Sequence, residues 1–590
     1  MLLRSLESRP RSVDGASHQT AADIIFPLFL AFCFVGLQID ALVRHDALFA
    51  NFALERLEAG GGYHRDSVFH VAIVQNILNH QFPSTGQHET PFVTYHFLSY
   101  YFDAALVWMF GLDAWDSYAL LFFAKSSLIL LSLLYFLTAG IPAGGRRTHG
   151  LILAFGVTSF VASWAVVASH TSWVPIAALL LSGPWLNRVL RTERIRPSQL
   201  VALSWLVVFL TLGKGSIGLA FAAVVGILLL QRWSLASTIV VATWVGWLGA
   251  WGFITSSTSG ASSKAAEISS GGDFFERLLN DGLQSSPLMM SVVLLAGSLM
   301  YLGRHQSSAF ALRTGLAILL ALLAFAVLAA AIATGSDGGY YMMGLFHVGF
   351  VVGVPALLDA ETRGAEARRP YLVLVLTLSI VLAPAAFASY GDPLQSLRTL
   401  IFGNTVTYQW HNLASSPRQE ASVARLVRGS VRESVAERMP TTLEAARNEI
   451  HQAIAEQGLR RSEVFLFVPK ETFDQLEHEL NVAATSSWNP SSYNGLLLTA
   501  VTGLPLLYGV PAESHWRYGF GDYAMSVESA RQRSTLETPL RALCGHGRSV
   551  VILADVALPS VEVQCVLPPG ILGRYCVDTA LRSVAVECLG

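Results

Sequence analysis

Apolar runs of membrane-spanning length recur between residues 21 and 390, and short polar connections separate them. A helix needs about 20 apolar residues to cross a bilayer. The residues before the first run are polar, contain arginine and carry no small-residue cleavage signal, so we expect residues 1–20 to form a retained cytoplasmic leader. The pattern predicts about eleven membrane helices, near residues 24–42, 118–139, 151–168, 173–189, 200–212, 217–230, 235–254, 288–302, 311–333, 341–358 and 371–388. The runs that flank residues 213–216 are short, which predicts either two tilted helices or a re-entrant hairpin.

Arginine is distributed unevenly among the connections, and the positive-inside rule converts this distribution into an orientation. The leader and alternate connections contain Arg4, Arg9, Arg11, Arg146, Arg147, Arg191, Arg194, Arg196, Arg232, Arg304, Arg363, Arg368 and Arg369. If these face the cytoplasm, the outer connections are residues 43–117, 170–172, 213–216, 255–287 and 334–340. Residues 95–112 are apolar enough to span, but a span there would invert every later connection. We therefore expect them to form an interfacial helix on the outer membrane face.

The composition agrees with an integral membrane protein. Hydrophobic residues make up 53% of the 590 residues and charged residues 14%, whereas an ordinary soluble protein has about 25% charged residues. A soluble fold of this size could not cover its surface with so few charges. The formal net charge is −2, so no electrostatic attraction favours nucleic acid as a partner.

The C-terminal part of the chain has a different pattern. Helix-like, charge-mixed sequence covers residues 419–457, and short β-like runs at 464–468, 504–508 and 550–553 alternate with helical patterns. This alternation predicts a small α/β domain over residues 391–590. Residues 21–390 are the predicted transmembrane domain, with a long first outer loop at 43–117.

The cysteines predict where this α/β domain lies. Four of them, Cys544, Cys565, Cys576 and Cys588, fall in the tail, and four cysteines outside the cytoplasm suggest two disulfides with three open pairings. A metal site is the alternative, but no C-x-x-C spacing supports it. No permitted Asn-x-Ser/Thr sequon occurs, so we expect a bacterial inner membrane protein with a periplasmic tail.

The first outer loop contains the candidate chemistry. Residues 66–80 have an amphipathic helical pattern, and Asp66 and His70 share one face. A carboxylate at the membrane surface suits general-base work, because partial burial raises its pKa towards neutrality. Alternatively, Asp66 caps this helix, or binds a divalent metal with His70 and His96. Tyr95 precedes His96 in the same loop and is, with both histidines, a candidate substrate-binding residue.

Lysine is rare, and two lysines lie among the apolar runs. Lys214 stands between two predicted helices at the outer face, in a segment that is not a Walker A loop because Val208 and Gly215 occupy key positions. Its compact positive charge could hold a lipid phosphate; the alternative is a snorkelling lysine that fixes a helix end. Lys125 lies inside a predicted span and needs an anionic partner there.

Three segments together resemble the GT-C glycosyltransferases, which include lipid A aminoarabinose transferases and protein O-mannosyltransferases. The outer loop with Asp66, followed by the interfacial stretch 95–111 and Lys125-Ser126-Ser127, is similar to the opening of that superfamily. Leu212-Gly213-Lys214-Gly215-Ser216-Ile217-Gly218 resembles its Leu-x-Lys-Gly-Pro-x-Gly motif, and residues 339–344 resemble the tyrosine-containing start of a late outer-facing helix.

This resemblance implies an inverting glycosyltransferase with a polyprenyl-phosphate sugar as donor. Asp66 would be the base, and Lys214, with Lys125 or Arg277, would stabilise the phosphate leaving group. Tyr340 and Tyr341 would line the pocket or, alternatively, anchor the helix at the interface. The acceptor would be a lipid, glycan or protein of the envelope; no cofactor is certain, and a divalent metal stays open. A multi-span transporter, a lipid flippase and a non-catalytic envelope-assembly protein are the alternatives.

Overall fold

The structure is a computed structural model. It describes residues 65–81, 83–86, 97–115, 170–232, 234–258, 286–305, 308–332, 338–362, 499–505, 549–554 and 582–586, together with parts of 121–139 and 447–467. In several segments only the backbone is described, among them residues 65–68, 254–258, 286–291, 326–332, 338–343, 358–362, 549–554 and 582–586. The predicted spans at 24–42, 151–168 and 371–388 lie outside the described residues.

Helices dominate the described part of the chain. They are α1 (Arg65–His80), α2 (Phe97–Phe110), α3 (Trp173–Arg191), α4 (Pro197–Gly213), α5 (Gly215–Leu230), α6 (Leu235–Thr258), α7 (Ser286–His305), α8 (Ala309–Ile332) and α9 (Gly338–Thr362). The described residues within 121–139 are also helical. The helices predicted between residues 173 and 358 are therefore confirmed, as are the amphipathic helix of the first outer loop and the separate helix near 95–112.

One helix of the described residues, at Leu235–Phe253, is both long and apolar enough to cross a membrane by length and composition. Shorter apolar helices occur at Phe97–Phe110, Pro197–Gly213, Gly215–Leu230, Ala309–Phe325 and Gly344–Leu357. Large apolar side chains also face outwards, with Leu235, Phe253 and Trp205 exposed by 78%, 73% and 70%. Such surfaces suit lipid contact. The count of eleven spans stays a prediction.

Two of the arginine-bearing connections, those after α3 and α5, meet at one end of the helices. The guanidinium of Arg232, after α5, donates to the backbone carbonyls of Leu190 and Thr192 at the end of α3. Arg191 donates to the carbonyl of Pro355 in α9 at 2.8 Å. These contacts join connections that the sequence analysis assigns to the cytoplasmic side.

The predicted outer connections meet at the opposite end of α3. The hydroxyl of Ser99 in α2 lies 2.7 Å from the carbonyl oxygen of Thr171 and 3.1 Å from that of Gly213. Thr171 belongs to the short 3₁₀ turn His170–Ser172 that precedes α3. Because α3 has 19 residues, its two ends are about 28 Å apart, close to the thickness of a bilayer core. Segments predicted to share one face of the membrane are therefore neighbours in the structure.

Helices α4 and α5 are separated by a single residue. Lys214 has extended backbone (φ −156°, ψ 106°) and serves as the end of α4 and the start of α5. The tip of this antiparallel pair reaches Ser99, while the far end of α5 reaches the end of α3. Both helices thus traverse the same depth as α3, which favours two helices over a re-entrant hairpin.

A glycine allows these two helices to approach closely beside Lys214. A Cβ on Gly218 would lie 2.5 Å from the backbone N and Cα of Thr211 in α4. In the same region, a Cβ on Gly344 of α9 would lie 2.6 Å from the carbonyl oxygen of Ser216. Side chains at either position would push the start of α5 away from its neighbours.

The described tail contains a three-stranded sheet in the order β1 (Val464–Phe467), β2 (Ser549–Ala554) and β3 (Arg582–Val586). Strands β1 and β2 are parallel, with Val464 opposite Ser549, and β2 and β3 are antiparallel, with Val550 opposite Val586. The described residues between 447 and 456 are helical. Two of the three β-like runs are therefore confirmed as strands.

The third run, at 504–508, is not confirmed as a strand in its described portion. Leu504 and Pro505 have no regular structure, although the carbonyl of Pro505 accepts the N–H of Leu466 in β1 at 2.8 Å. Proline lacks an N–H and so cannot extend this pairing. Residues 506–508 and the four tail cysteines lie outside the described residues.

We expect Gly218→Ala to destabilise the helical domain by about 1–3 kcal/mol, because the new methyl group overpacks against the backbone of α4. Thermal unfolding of the detergent-solubilised protein measures this. Gly246→Ala in α6 is the matched control, since nothing lies within 4 Å of a Cβ there. Equal melting temperatures for the two variants would contradict the close-approach argument.

Candidate functional site

Helix α2 lies at the centre of the candidate site, since the buried polar side chains on one of its faces contact the neighbouring segments. Ser99, Tyr100 and Asp103 are buried, whereas Trp108 and Phe110 are exposed by 78% and 63%. A soluble helix would turn its polar face to water. The reversed arrangement fits the predicted interfacial position, with the polar face towards the protein and large apolar side chains towards lipid.

Asp103 of α2 provides the partner that Lys125 requires. The Lys125 Nζ lies 2.8 Å from Asp103 Oδ2, and the two residues are 1% and 2% exposed. A buried charge is stable only when an opposite charge and good hydrogen-bond geometry compensate its desolvation. The positive charge of Lys125 is therefore neutralised within the protein.

Lys214 is buried at the break between α4 and α5. It is 2% exposed, and its Nζ lies 3.4 Å from the Thr171 hydroxyl oxygen. A snorkelling lysine would extend its ammonium group into water. The burial of Lys214 argues against that alternative and places a positive charge inside the end of the helical domain where the predicted outer connections meet.

Two buried hydroxyls lie next to this lysine contact along the chain. Ser172 follows Thr171, and Ser216 follows Lys214 by two residues. The side-chain oxygens of both serines are buried and have no hydrogen-bond partner within the described part of the chain. Gly215 adjoins open space, because no atom lies within 4 Å of a Cβ there. Since a helix N-terminus favours negative charge, the start of α5 combines several features that suit an anion.

Helix α1 connects to this region through α2. The Nδ1 of His70 lies 2.8 Å from the Tyr100 hydroxyl oxygen, and both residues are buried. Tyr100 is adjacent to Ser99, which contacts the carbonyl of Gly213. Asp66 lies in the first turn of α1, one turn before His70 and on the same helical face. Its side chain is not among those described, but its helix belongs to the same end of the molecule as Lys214.

Of the remaining predicted site residues, two lie in a described helix and three lie outside the described residues. Tyr340 and Tyr341 lie in the first turn of α9, about one turn before Gly344, which packs against the backbone of Ser216. This places the start of α9 beside the start of α5, although the two tyrosine side chains are not described. Tyr95, His96 and Arg277 lie outside the described residues.

Sequence reasoning missed Ser99 and Thr171 and did not identify Asp103 as the partner of Lys125. The spacing of Ser99 and Asp103, four residues apart on one face of an otherwise apolar helix, is the signal that could have found them. For a divalent metal, the described side chains form no group of three His, Cys, Asp or Glu residues. His70 contacts Tyr100 through Nδ1, and the Asp66 side chain and His96 lie outside the described residues, so the metal site with these three residues stays an alternative.

The tail docks on α1 beside this site. The Asn79 side-chain amide of α1 donates to the carbonyl of Gly503 at 2.5 Å. The same tail segment contacts His451, whose Nε2–H donates to the Thr502 carbonyl at 3.0 Å while its Nδ1 accepts from Arg461 at 3.4 Å. A carbonyl can only accept and a guanidinium can only donate, so these contacts require the neutral imidazole.

Comparison with known proteins finds two similar solved structures and no matching family. No family model matches the chain, and no curated protein matches it. A crystal structure of ArnT from Cupriavidus metallidurans bound to undecaprenyl phosphate is 14% identical with a TM-score of 0.39, covering 96% of this chain and 98% of that one. The apo structure of the same protein is 14% identical with a TM-score of 0.38, covering 97% and 99%. We therefore infer the activity from this chain's own residues.

Lys125→Met should destabilise the protein by about 3–5 kcal/mol, because it leaves the Asp103 carboxylate buried without its partner. The double variant Lys125→Met with Asp103→Leu should recover most of this loss. Thermal unfolding of the wild type, the single variants Lys125→Met and Asp103→Leu, and the double variant measures the coupling in a double-mutant cycle. A double variant that is no more stable than Lys125→Met would show that the pair does not compensate burial.

We also expect docking of the tail to weaken at acidic pH. Burial, then the neighbouring Arg461, lowers the pKa of His451 below its usual value, which is about 6.5. The folded state therefore binds fewer protons than the unfolded state as pH falls below that value. The stabilisation is fully present above about pH 6.5 and is lost as pH falls through the depressed folded pKa. Melting temperatures at pH 7.5 and pH 5 should differ less in His451→Gln than in the wild type; equal pH dependence would contradict this assignment.

Proposed function

We propose that this chain is an integral-membrane glycosyltransferase that transfers a sugar from a polyprenyl-phosphate donor to an envelope acceptor on the periplasmic face of the bacterial inner membrane. The observation that carries the proposal is the burial of Lys214 at the start of α5, at the same end of the molecule as the helix that bears Asp66. A cation and a candidate base on one side of the membrane are the two groups that this reaction requires.

The start of α5 supports the phosphate end of the reaction. When the bond between the anomeric carbon and the phosphate oxygen breaks, that oxygen keeps the electron pair and becomes more negative. A buried ammonium group stabilises this charge more strongly than an exposed one, because the local dielectric is low. Lys214, the Ser172 and Ser216 hydroxyls and the helix N-terminus would together stabilise the leaving phosphate.

Helix α1 supports the acceptor end of the reaction. Asp66 would take the proton from the acceptor hydroxyl while its oxygen attacks the anomeric carbon from the face opposite the phosphate. This displacement inverts the configuration at that carbon. The His70–Tyr100 hydrogen bond ties α1 to α2 one turn away from Asp66, so it would help to orient the base.

The remaining candidate residues would bind the substrate or support the helices around it. Tyr340 and Tyr341 would line the sugar or phosphate pocket at the start of α9, and Arg277 would add a second cation at the phosphate. Tyr95 and His96 would contact the substrate from the first outer loop. Lys125 would keep α2 in place through Asp103 rather than bind phosphate, because leaving that partner would strand a buried carboxylate.

The contacts at the two ends of the helices support the membrane orientation. Arginine connections meet at one end, which would face the cytoplasm, and the tail contacts α1 at the other end. The tail would therefore be periplasmic, with its four cysteines in two disulfides. In this position it would help to bind the lipid, glycan or protein acceptor.

We expect Asp66→Asn to abolish sugar transfer, because the amide cannot take the proton from the acceptor hydroxyl. Lys214→Ala should lower kcat/KM for the donor by about 10²-fold, because it removes the charge that stabilises the leaving phosphate. The assay uses the purified protein in nanodiscs with labelled polyprenyl-phosphate sugars. It measures sugar-dependent release of the polyprenyl phosphate together with the stereochemistry of the product. Undecaprenyl phosphate, the lipid bound in one of the ArnT crystal structures, is the probe for binding.

Lys470→Ala is the matched control for Lys214→Ala, since it removes a lysine from the tail. Retained turnover in Asp66→Asn protein would remove Asp66 as the base. Movement of an intact lipid across the bilayer without release of its phosphate would instead show a flippase. Normal folding without turnover on any donor would favour an envelope-assembly protein.

A further inference from the structure

Asp113, just beyond the end of α2, contacts three separate parts of the chain. Its Oδ1 accepts the side-chain N–H of Gln75 in α1 at 3.1 Å and the backbone N–H of Trp115 at 2.9 Å. The tail approaches the same carboxylate, with Arg447 Nη2 3.4 Å from Oδ1 and Arg461 Nη1 3.7 Å from Oδ2. One carboxylate thus joins α1, the end of α2 and the tail.

Helix α1 makes further hydrogen bonds to the tail on this side. Gln75 Nε2 also lies 3.4 Å from the carbonyl of Ala500, and Asn79 donates to the carbonyl of Gly503. Gly503 has a φ of +73°, a left-handed conformation that glycine adopts without steric cost. The turn at Gly503 therefore presents its carbonyl to α1, and Gln75 is shared between the tail and Asp113.

The carboxylate also balances charge between the two arginines. Both guanidinium groups lie within 4 Å of Asp113, so without the negative charge they would repel each other across a short distance. The side chains of Asp113 and Arg447 are only 20% and 14% exposed, so solvent screens their attraction less than at an open surface. Loss of this single charge should loosen the tail from α1.

These contacts lie on the face of α1 that is opposite the candidate base, Asp66. At about 100° per residue, Gln75 lies roughly 180° around the helix from Asp66, whereas His70 shares the face of Asp66. Tyr100 therefore holds one side of α1, and Asp113 with the tail holds the other. A small rotation of this helix would move Asp66, and a displacement of about 1 Å at a reacting group can cost about 10²-fold in rate.

We propose that Asp113 is a positioning residue, which holds α1 and therefore Asp66 in the working orientation while the tail is docked. This inference rests on the proposed sugar transfer. The contacts of Asp113 are with α1, Trp115 and the tail, whereas Lys214 lies at the start of α5 beside Thr171. Loss of the Asp113 charge should therefore slow the chemical step and leave donor binding unchanged.

The test compares Asp113→Asn, Asp113→Glu and the wild type as full-length proteins in nanodiscs. We expect Asp113→Asn to lower kcat by about tenfold or more while the donor KM stays within about twofold. Hydrogen exchange in the peptide that covers residues 69–80 should become faster. Asp113→Glu keeps the charge and should restore most of kcat. Arg460→Gln is the matched control, since it removes an exposed arginine next to Arg461 and should change neither quantity.

An unchanged kcat in Asp113→Asn would overturn the inference, as would faster exchange in residues 499–505 while residues 69–80 stay protected. An equal loss of kcat and donor binding would do the same, because it would indicate general destabilisation. If the wild type transfers no sugar from any polyprenyl-phosphate donor, the proposed function fails by itself. The exchange of residues 69–80 in Asp113→Asn would then still decide whether Asp113 positions α1.

Discussion

Burial of positive charge within an apolar helical domain is the constraint on which the described structure depends. An ammonium group removed from water requires an anion, hydroxyl or carbonyl oxygens, or the C-terminal end of a helix near it. Lys125 meets this requirement through its ion pair with Asp103, which neutralises its charge within the protein. Lys214 meets it at a helix break beside Thr171, where an anionic ligand could share the site. The different surroundings of two lysines separate a structural role from a proposed binding role.

One face of helix α2 contacts the surroundings of both lysines. Ser99 bridges the turn before α3 and the end of α4, and Asp103 receives Lys125 one turn later. Tyr100 between them bonds His70 of α1. The short helix α2 thereby holds together the connections that are predicted to face outwards, in a domain whose longer helices contribute mainly apolar packing. The tail adds to this arrangement from the other side of α1, so the proposed base would be held between two parts of the protein that are distant in sequence.

The positions of the helices could be predicted from sequence, because apolar runs and their polar interruptions follow directly from the length that a bilayer requires. The break at Lys214 and the separate helix near 95–112 could be predicted from the same pattern; the interfacial position of that helix was inferred from the alternation of arginine and stays a prediction. The β-like run at 504–508 is not confirmed in its described portion, where Pro505 has no N–H with which to extend the pairing to β1. For Lys125, the sequence showed that a partner was needed, but pairing across 22 residues depends on how α2 packs.

The sequence by itself determined the apolar helices, the alternation of arginine among their connections, and the positions of two rare lysines, Lys125 within a predicted span and Lys214 between two predicted helices. These properties follow from local composition, and each residue contributes to them whatever its distant neighbours are. Only the tertiary structure decided that Asp103 pairs with Lys125, that Thr171 lies beside Lys214, and that Asp113 joins α1 to the tail. Such contacts depend on side chains that meet after the helices have packed, because interaction energies between charged and polar groups change steeply over a few ångströms.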